Sequence, residues 1–108
     1  MQDLKVLLVD LDPQGNATQG VGVRLENIQA SLAELIRDRA FPIEGAVYQG
    51  DGLDLIPATP LLSKVEREMV AMTNSELRLS QRLQSLRTKY SVILIDTPPT
   101  FGPLMNWR

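Results

Sequence analysis

Two short runs of consecutive apolar residues each end in an aspartate. Residues 6–9 (VLLV) run into Asp10, and residues 92–95 (VILI) run into Asp96. A strand with one face in water alternates apolar and polar residues, whereas a strand of a parallel sheet that is buried on both faces reads as a continuous apolar run. We therefore predict two parallel strands, with helices covering both faces of their sheet.

A third, weaker run lies between them at residues 53–56 (LDLI). It follows the turn residues Gly50, Asp51 and Gly52 and is stopped by Pro57. Because proline and a charged residue are tolerated best at the edge of a sheet, this run is predicted to be an edge strand.

The segments between the runs have helical patterns. Ser31 and Glu34 have the spacing of a capping box and begin a helix that is predicted to end before Pro42. Residues 61–72 are helical in composition, and Ser75 is predicted to cap a further helix. Apolar side chains share one face of the first and last of these helices: Leu32, Leu35 and Ile36, then Leu79, Leu83 and Leu86.

This order of elements predicts the fold class. Strand, helix, strand, helices and strand, joined by right-handed crossovers, make an α/β fold with an open, doubly wound, mainly parallel sheet in three layers. The 108 residues fall within the size of one domain, so we predict a single domain over residues 1–108.

Composition excludes several kinds of chemistry. The sequence has no cysteine and no histidine, which rules out disulfides, thiolate or imidazole metal ligands, and catalysis by Cys or His. Its net charge is -2 and its basic residues are scattered, so charge indicates neither a nucleic-acid surface nor a membrane surface. Without a signal-peptide pattern or a run near the ~20 apolar residues of a membrane span, the chain is expected to be cytoplasmic.

The aspartates that end the apolar runs are the candidate chemistry. Ligands of open α/β sheets bind beyond the carboxyl ends of the strands, so Asp10, Asp12 and Asp96 are predicted to converge on a magnesium–nucleotide site. Asp10 and Asp12 would face the same side if the strand continued to Pro13. The alternative for any one of them is that it caps a turn or the next helix.

Two turns follow these aspartates. The first has side-chain amides that suit a water or a phosphate, in the run Pro13, Gln14, Gly15 and Asn16. The second opens rigidly and reaches a glycine, as in a loop that responds to a γ-phosphate, and its first residues are Thr97, Pro98 and Pro99. An ordinary proline-rich exit loop is the alternative for the second turn.

Three segments together resemble one family. Residues 5–20 (KVLLVDLDPQGNATQG), 52–62 (GLDLIPATPLL) and 90–104 (YSVILIDTPPTFGPL) are similar, in this order, to the ParA/Soj partition ATPases, a P-loop NTPase family of the deviant Walker A, MinD-like kind. The resemblance implies ATP and Mg²⁺ as cofactors, and DNA and a centromere-binding protein as partners. The process it implies is chromosome or plasmid partitioning.

The resemblance also implies residue roles. Asp96 would hold Mg²⁺ through a water as the Walker B acid, Asp12 would orient the water that attacks the γ-phosphate, and Asp10 would support the same polar cluster. Nucleotide contacts would come from the two turns: Gln14, Gly15, Asn16, Thr97, Pro98 and Pro99.

The phosphate-binding loop of that family is not found in the 108 residues. Gly15 and Gly20 have the spacing of the glycines in G-x-x-x-x-G-K-S/T, but Val21 and Gly22 stand where lysine and serine or threonine belong. By comparison with the family, we expect a truncated member without the loop and without the carboxyl-terminal half. Because carboxylates alone repel a triphosphate, such a chain is not expected to bind ATP tightly or to be active alone.

Two functions remain open. The chain is either a piece of a partition ATPase or a non-enzymatic remnant that binds a partner or itself. By resemblance the strand at 6–9 lies between those at 53–56 and 92–95, which leaves an apolar edge at 92–95 and predicts self-association.

A cell-division-site ATPase of the MinD kind and a nitrogenase iron-protein relative are further alternatives. The run from Asp12 to Asn16 favours ParA, and the lack of cysteines disfavours the iron protein.

Overall fold

A computed structural model describes residues 4–50, 52–72 and 76–97 of the chain. The strands are β1 (Val6–Asp10), β2 (Tyr48–Gln49), β3 (Asp54–Ile56) and β4 (Val92–Asp96). The α-helices are α1 (Asn16–Gly20), α2 (Leu32–Arg37), α3 (Leu61–Val70) and α4 (Glu76–Leu83). Short 3-10 turns span Leu25–Asn27, Ile43–Ala46 and Gln84–Leu86. The predicted helix cap at Ser75 lies outside the described residues.

The strands form one sheet in the order β2-β3-β1-β4. β1 is central and pairs in parallel with both neighbours, with Leu8 opposite Leu55 on one side and Leu94 on the other. The same register places Asp10 opposite Asp96 at the carboxyl ends of the strands. The predicted α/β class with an open, mainly parallel sheet is confirmed, and so is the order of the three predicted strands.

The prediction that residues 53–56 form an edge strand is wrong. The short strand β2 pairs antiparallel with β3 and takes the edge position. β3 tolerates Asp54 inside the sheet because the Asp54 carboxylate accepts a hydrogen bond of 2.7 Å from the Tyr90 hydroxyl. Burial, this hydrogen bond and the charge of Asp54 raise the pKa of Tyr90 to about 12.

One face of the sheet carries the core. Leu7, Val9 and Ile56 are fully buried there, against the apolar faces of α2, α3 and α4. The predicted helical stripes are confirmed, since all of their residues are buried. The helices contribute Leu32, Ala33, Leu35, Ile36, Leu62, Val65, Met69, Leu79 and Leu83, and the turn after α4 adds Leu86.

The other face of β4 is open to solvent in the described part of the chain. Val92 is 37% exposed and Leu94 is 52% exposed, although both are aliphatic. The prediction that both apolar runs are covered on both faces is therefore wrong for β4. The run is continuous because Ile93 and Ile95, which point the opposite way, pack partly against the core.

The predicted capping box begins α2. Ser31 donates a hydrogen bond of 2.6 Å from its hydroxyl to Glu34, whose carboxylate also accepts the Ser31 amide at 2.8 Å. α4 is tied to the end of α2 through Arg78, whose guanidinium donates to the carbonyl of Ile36 at 2.6 Å.

Neither α2 nor any other helix among the described residues has the length and apolarity that crossing a membrane requires.

Candidate functional site

The Asp10 carboxylate lies fully buried at the carboxyl end of β1. One of its oxygens accepts the Asp12 amide at 3.0 Å. The other accepts the Thr18 amide at 2.8 Å and the Thr18 hydroxyl at 2.6 Å. A buried carboxylate is stable only when its oxygens are satisfied by donors, and these three donors come from the segment that follows β1. Asp10 therefore folds that segment back over the end of its own strand.

Thr18 connects this hydrogen-bond network to the end of β3. Its hydroxyl, which donates to Asp10, also accepts the amide of Ala58 at 3.0 Å. Ala58 follows β3 and precedes α3, and the Thr18 side chain is 2% exposed. The carboxyl ends of β1 and β3 are thus joined by one hydroxyl between a buried acid and a buried amide.

Asp12 lies two residues beyond the end of β1 and is also buried. Its carboxylate accepts the Gln14 amide at 3.0 Å with one oxygen and the side-chain amide of Asn16 at 3.0 Å with the other. The Asp12 carbonyl accepts the Gly15 amide at 2.8 Å. The structure thus brings Gln14, Gly15 and Asn16 together around Asp12, and the Gln14 side chain remains exposed.

Gly15 gives this turn its shape. Its φ is 70°, in the left-handed region that costs other residues energy because of the Cβ atom. The turn then leads directly into α1 at Asn16. A left-handed residue at this point lets the chain reverse and return Thr18 to Asp10.

Asp96 ends β4 beside Asp10 in the register of the sheet, and its side chain is exposed. Its carbonyl accepts the Leu11 amide at 2.8 Å, which ties it to the start of the Asp12 turn. Partial desolvation at the end of the sheet raises the pKa of Asp96, and the negative charges of Asp10 and Asp12 raise it further. Thr97 is exposed next to it, while Pro98 and Pro99 lie outside the described residues.

Asp10, Asp12 and Asp96 therefore influence one another through their charges rather than by forming one cluster of metal ligands. No group of three or more acidic side chains close enough to hold a metal ion by themselves occurs in the ranges that the structure describes. Asp10 and Asp12 nevertheless act on the Asp96 charge, so the end of the sheet has a negative potential. A cation beside Asp96 would relieve that potential.

Two residues of this region were not predicted from the sequence. Thr18 is the link between Asp10 and Ala58, and its partners lie 8 and 40 residues away, beyond any local pattern. Glu66 of α3 is partly buried, and its pKa is raised by burial and then by the charge of Asp12. Because α3 also carries Lys64, Arg67 and Glu68, no pattern in the sequence singles out Glu66.

The three aspartates differ in how many hydrogen-bond acceptor positions on their carboxylate oxygens remain free. Asp10 accepts three hydrogen bonds and is enclosed, so it has little capacity for a ligand. Asp12 accepts two, and a carboxylate has about four acceptor positions, so it can also accept from a water. Asp96 is exposed, and its side chain accepts no hydrogen bond from the residues that the structure describes. The end of the sheet thus holds one enclosed carboxylate, one buried carboxylate with free acceptor positions and one exposed carboxylate.

The raised pKa of Asp96 predicts the effect of Asp96→Asn. Because the folded state holds the Asp96 proton more tightly than the unfolded chain does, the charged carboxylate lowers stability at neutral pH. Asp96→Asn should raise the free energy of unfolding at pH 7. That gain should vanish as the pH falls below about 4, where an ordinary aspartate is protonated in both states. Urea unfolding at several pH values measures it, and a gain that persists at low pH would contradict the electrostatic cause.

The chain is similar to known proteins over most of its length. Residues 1–107 match a family model described as an AAA domain. The chain is 42% identical over 103 residues to the chromosome partitioning protein ParA of Myxococcus xanthus, covering 93% of this chain and 36% of that protein. It is 39% identical over 101 residues to the sporulation initiation inhibitor protein Soj of Bacillus subtilis, covering 93% and 40%.

The fold is also similar to solved structures. Cobyrinic acid a,c-diamide synthase from Mycobacterium smegmatis, with a bound ATP analog and magnesium, superposes with a TM-score of 0.87 at 32% identity over 94% of this chain and 42% of that one. The 108 residues span 36% to 40% of the length of these ParA and Soj relatives. Motifs, fold and relatives agree that the chain belongs to the AAA domain family and is related to the ParA and Soj proteins.

Proposed function

We propose that this chain carries the acidic part of the nucleotide site of a partition ATPase that segregates chromosomes or plasmids with ATP and Mg²⁺. The observation that supports this most is the Asp12 turn, in which a buried carboxylate is held at the end of the central strand with acceptor positions to spare. DNA and a centromere-binding protein are the partners we propose for the whole protein, from its similarity to chromosome partitioning proteins.

The residues at the end of β4 fit a magnesium ion. Mg²⁺ is usually bound through one or two carboxylates, with waters and substrate phosphates completing its shell, so it does not need a cluster of three acids. Asp96 is exposed, and the charges of Asp10 and Asp12 favour a cation beside it. We propose that Asp96 holds the ion through a water; when bound, the ion would neutralise charge on the phosphates.

Asp12 is the residue we propose for orienting the attacking water. Gln14 and Asn16 donate to its carboxylate from one turn, which fixes the direction of the two oxygens. A preorganised acceptor costs little reorganisation when the reaction takes place. We propose that Asp10 does not contact the nucleotide. It supports Asp12 by accepting a hydrogen bond of 3.0 Å from the Asp12 backbone amide.

The turns also supply the proposed nucleotide contacts. The exposed side chain of Gln14 is free to reach a phosphate, whereas the Gly15 amide and the Asn16 side chain are engaged by Asp12. Thr97, Pro98 and Pro99 are proposed to approach the nucleotide from the end of β4. The positive contacts that a triphosphate needs are not part of these turns, so we propose that binding by the 108 residues alone is weak and depends on Mg²⁺.

Mg²⁺ should therefore decide whether ATP binds. In a ¹H–¹⁵N NMR titration, Mg·ATP should shift the backbone amide signals of residues 11, 12, 14–16, 96 and 97, and ATP with EDTA should not, because the carboxylates repel the free triphosphate. Asp96→Asn should abolish the shifts, whereas Asp38→Asn, an exposed aspartate outside the site, should leave them unchanged. Shifts that are equal with and without Mg²⁺, or absent at saturating nucleotide, would contradict the nucleotide site.

The open edge of β4 favours a second candidate, a non-enzymatic module that self-associates or binds a partner strand. No described strand pairs with the outer edge of β4, and Leu94 beside it is 52% exposed. A groove lined by Leu83, Ile93 and Ile95 runs along the same edge. Unpaired backbone groups next to apolar side chains favour the addition of another strand.

Self-association is tested by multi-angle light scattering over a range of concentrations. We expect the mean mass of the 108-residue chain to rise with concentration, and Leu94→Lys to suppress the rise because a charge on the apolar face opposes strand addition. Leu25→Lys is the matched control, since Leu25 is 59% exposed and lies away from β4. A folded monomer at every concentration would contradict this second candidate.

A further inference from the structure

We propose that Thr18 is the positioning residue for Asp12, acting through Asp10 and anchoring the Asp12 turn to the end of β3. This inference rests on the proposed function for the importance of Asp12, but its geometry does not depend on a nucleotide. It also assigns a role to a buried polar side chain that neither the motifs nor the candidate chemistry required.

The two hydrogen bonds of the Thr18 hydroxyl can run in only one direction. The ionised Asp10 carboxylate can only accept and the Ala58 amide can only donate, so the hydroxyl must donate at 2.6 Å and accept at 3.0 Å. A side chain at this position must therefore be donor and acceptor through a single atom. Serine meets this requirement, whereas valine, with almost the same shape as threonine, does not.

The effect reaches Asp12 through the other oxygen of Asp10. That oxygen accepts the Asp12 amide at 3.0 Å, so the orientation of the Asp10 carboxylate fixes where the Asp12 backbone lies. Without the Thr18 hydroxyl, the second oxygen would keep only the Thr18 amide, and the buried Ala58 amide would lose its acceptor. The carboxylate would then be held by two hydrogen bonds instead of three, and its bond to the Asp12 amide would be less firmly oriented.

A simpler role is that Thr18 only fastens α1 to the end of β3. In that case the loss of the hydroxyl would affect Ala58 and leave the Asp12 turn unchanged. The two roles differ at the amides of Asp12 and Gln14, which bond to Asp10 and Asp12 and not to Thr18. Hydrogen exchange at these two amides separates the roles.

Amide exchange measured by NMR on the full 108-residue chain is the test. Thr18→Val should accelerate exchange at Asp12, Gln14 and Ala58 by about tenfold, as expected when one buried hydrogen bond is lost, while Leu8 in β1 keeps its rate. Thr18→Ser should restore the rates of the original chain. Thr88→Val is the matched control, because Thr88 is an exposed threonine in the turn before β4.

Three results would overturn the inference. Thr18→Val could accelerate exchange at Ala58 and leave Asp12 and Gln14 unchanged, it could accelerate Leu8 equally, or Thr18→Ser could fail to restore protection. If Thr18→Val does not fold, Thr18→Cys takes its place, since a thiol is a weaker donor and acceptor and should give an intermediate rate. The experiment contains no nucleotide, so a failure of ATP to bind would overturn the proposed function and leave this inference standing.

Discussion

The end of the sheet depends on one buried charge. Asp10 has no solvent exposure, and it is balanced by two backbone amides and one hydroxyl. Removing a carboxylate from water is costly unless its oxygens are satisfied, so the segment after β1 must return its donors to this point. The turn at Asp12, the left-handed Gly15 and the position of Thr18 all follow from that requirement. Through Thr18 the same charge also fixes the start of the connection from β3 to α3.

Three aspartates at one end of a sheet acquire different properties from their surroundings. Asp10 is enclosed and organises the backbone, Asp12 is buried but keeps free acceptor positions, and Asp96 is exposed with a raised pKa. The raised pKa predicts that the Asp96 charge lowers the stability of the folded chain at neutral pH, and perturbed pKa values are common at functional sites.

Local patterns in the sequence predicted the elements that local physics controls. The continuous runs of β1 and β4, the capping box at Ser31 and the buried helical stripes all have short-range causes. β2 could not be predicted, since Tyr48–Gln49 has no periodicity and exists because β3 offers a free edge. The hydrogen bonds that the Gln14 backbone amide and the Asn16 side chain donate to Asp12 depend on the three-dimensional turn. The open face of β4 and the link through Thr18 depend on contacts distant in sequence.

The unfolding free energy of Asp10→Asn tests the central role of this charge most directly. Asparagine has the same shape, but its NH₂ group must face either the Asp12 amide or the Thr18 donors, so a buried donor loses its acceptor. We predict a loss of about 3 kcal/mol in urea unfolding, the size of a disrupted buried hydrogen-bond network around a charge. Asp38→Asn, an exposed aspartate that accepts the Ala40 amide, should change stability by less than about 0.5 kcal/mol. An equally small change for Asp10→Asn would contradict the account.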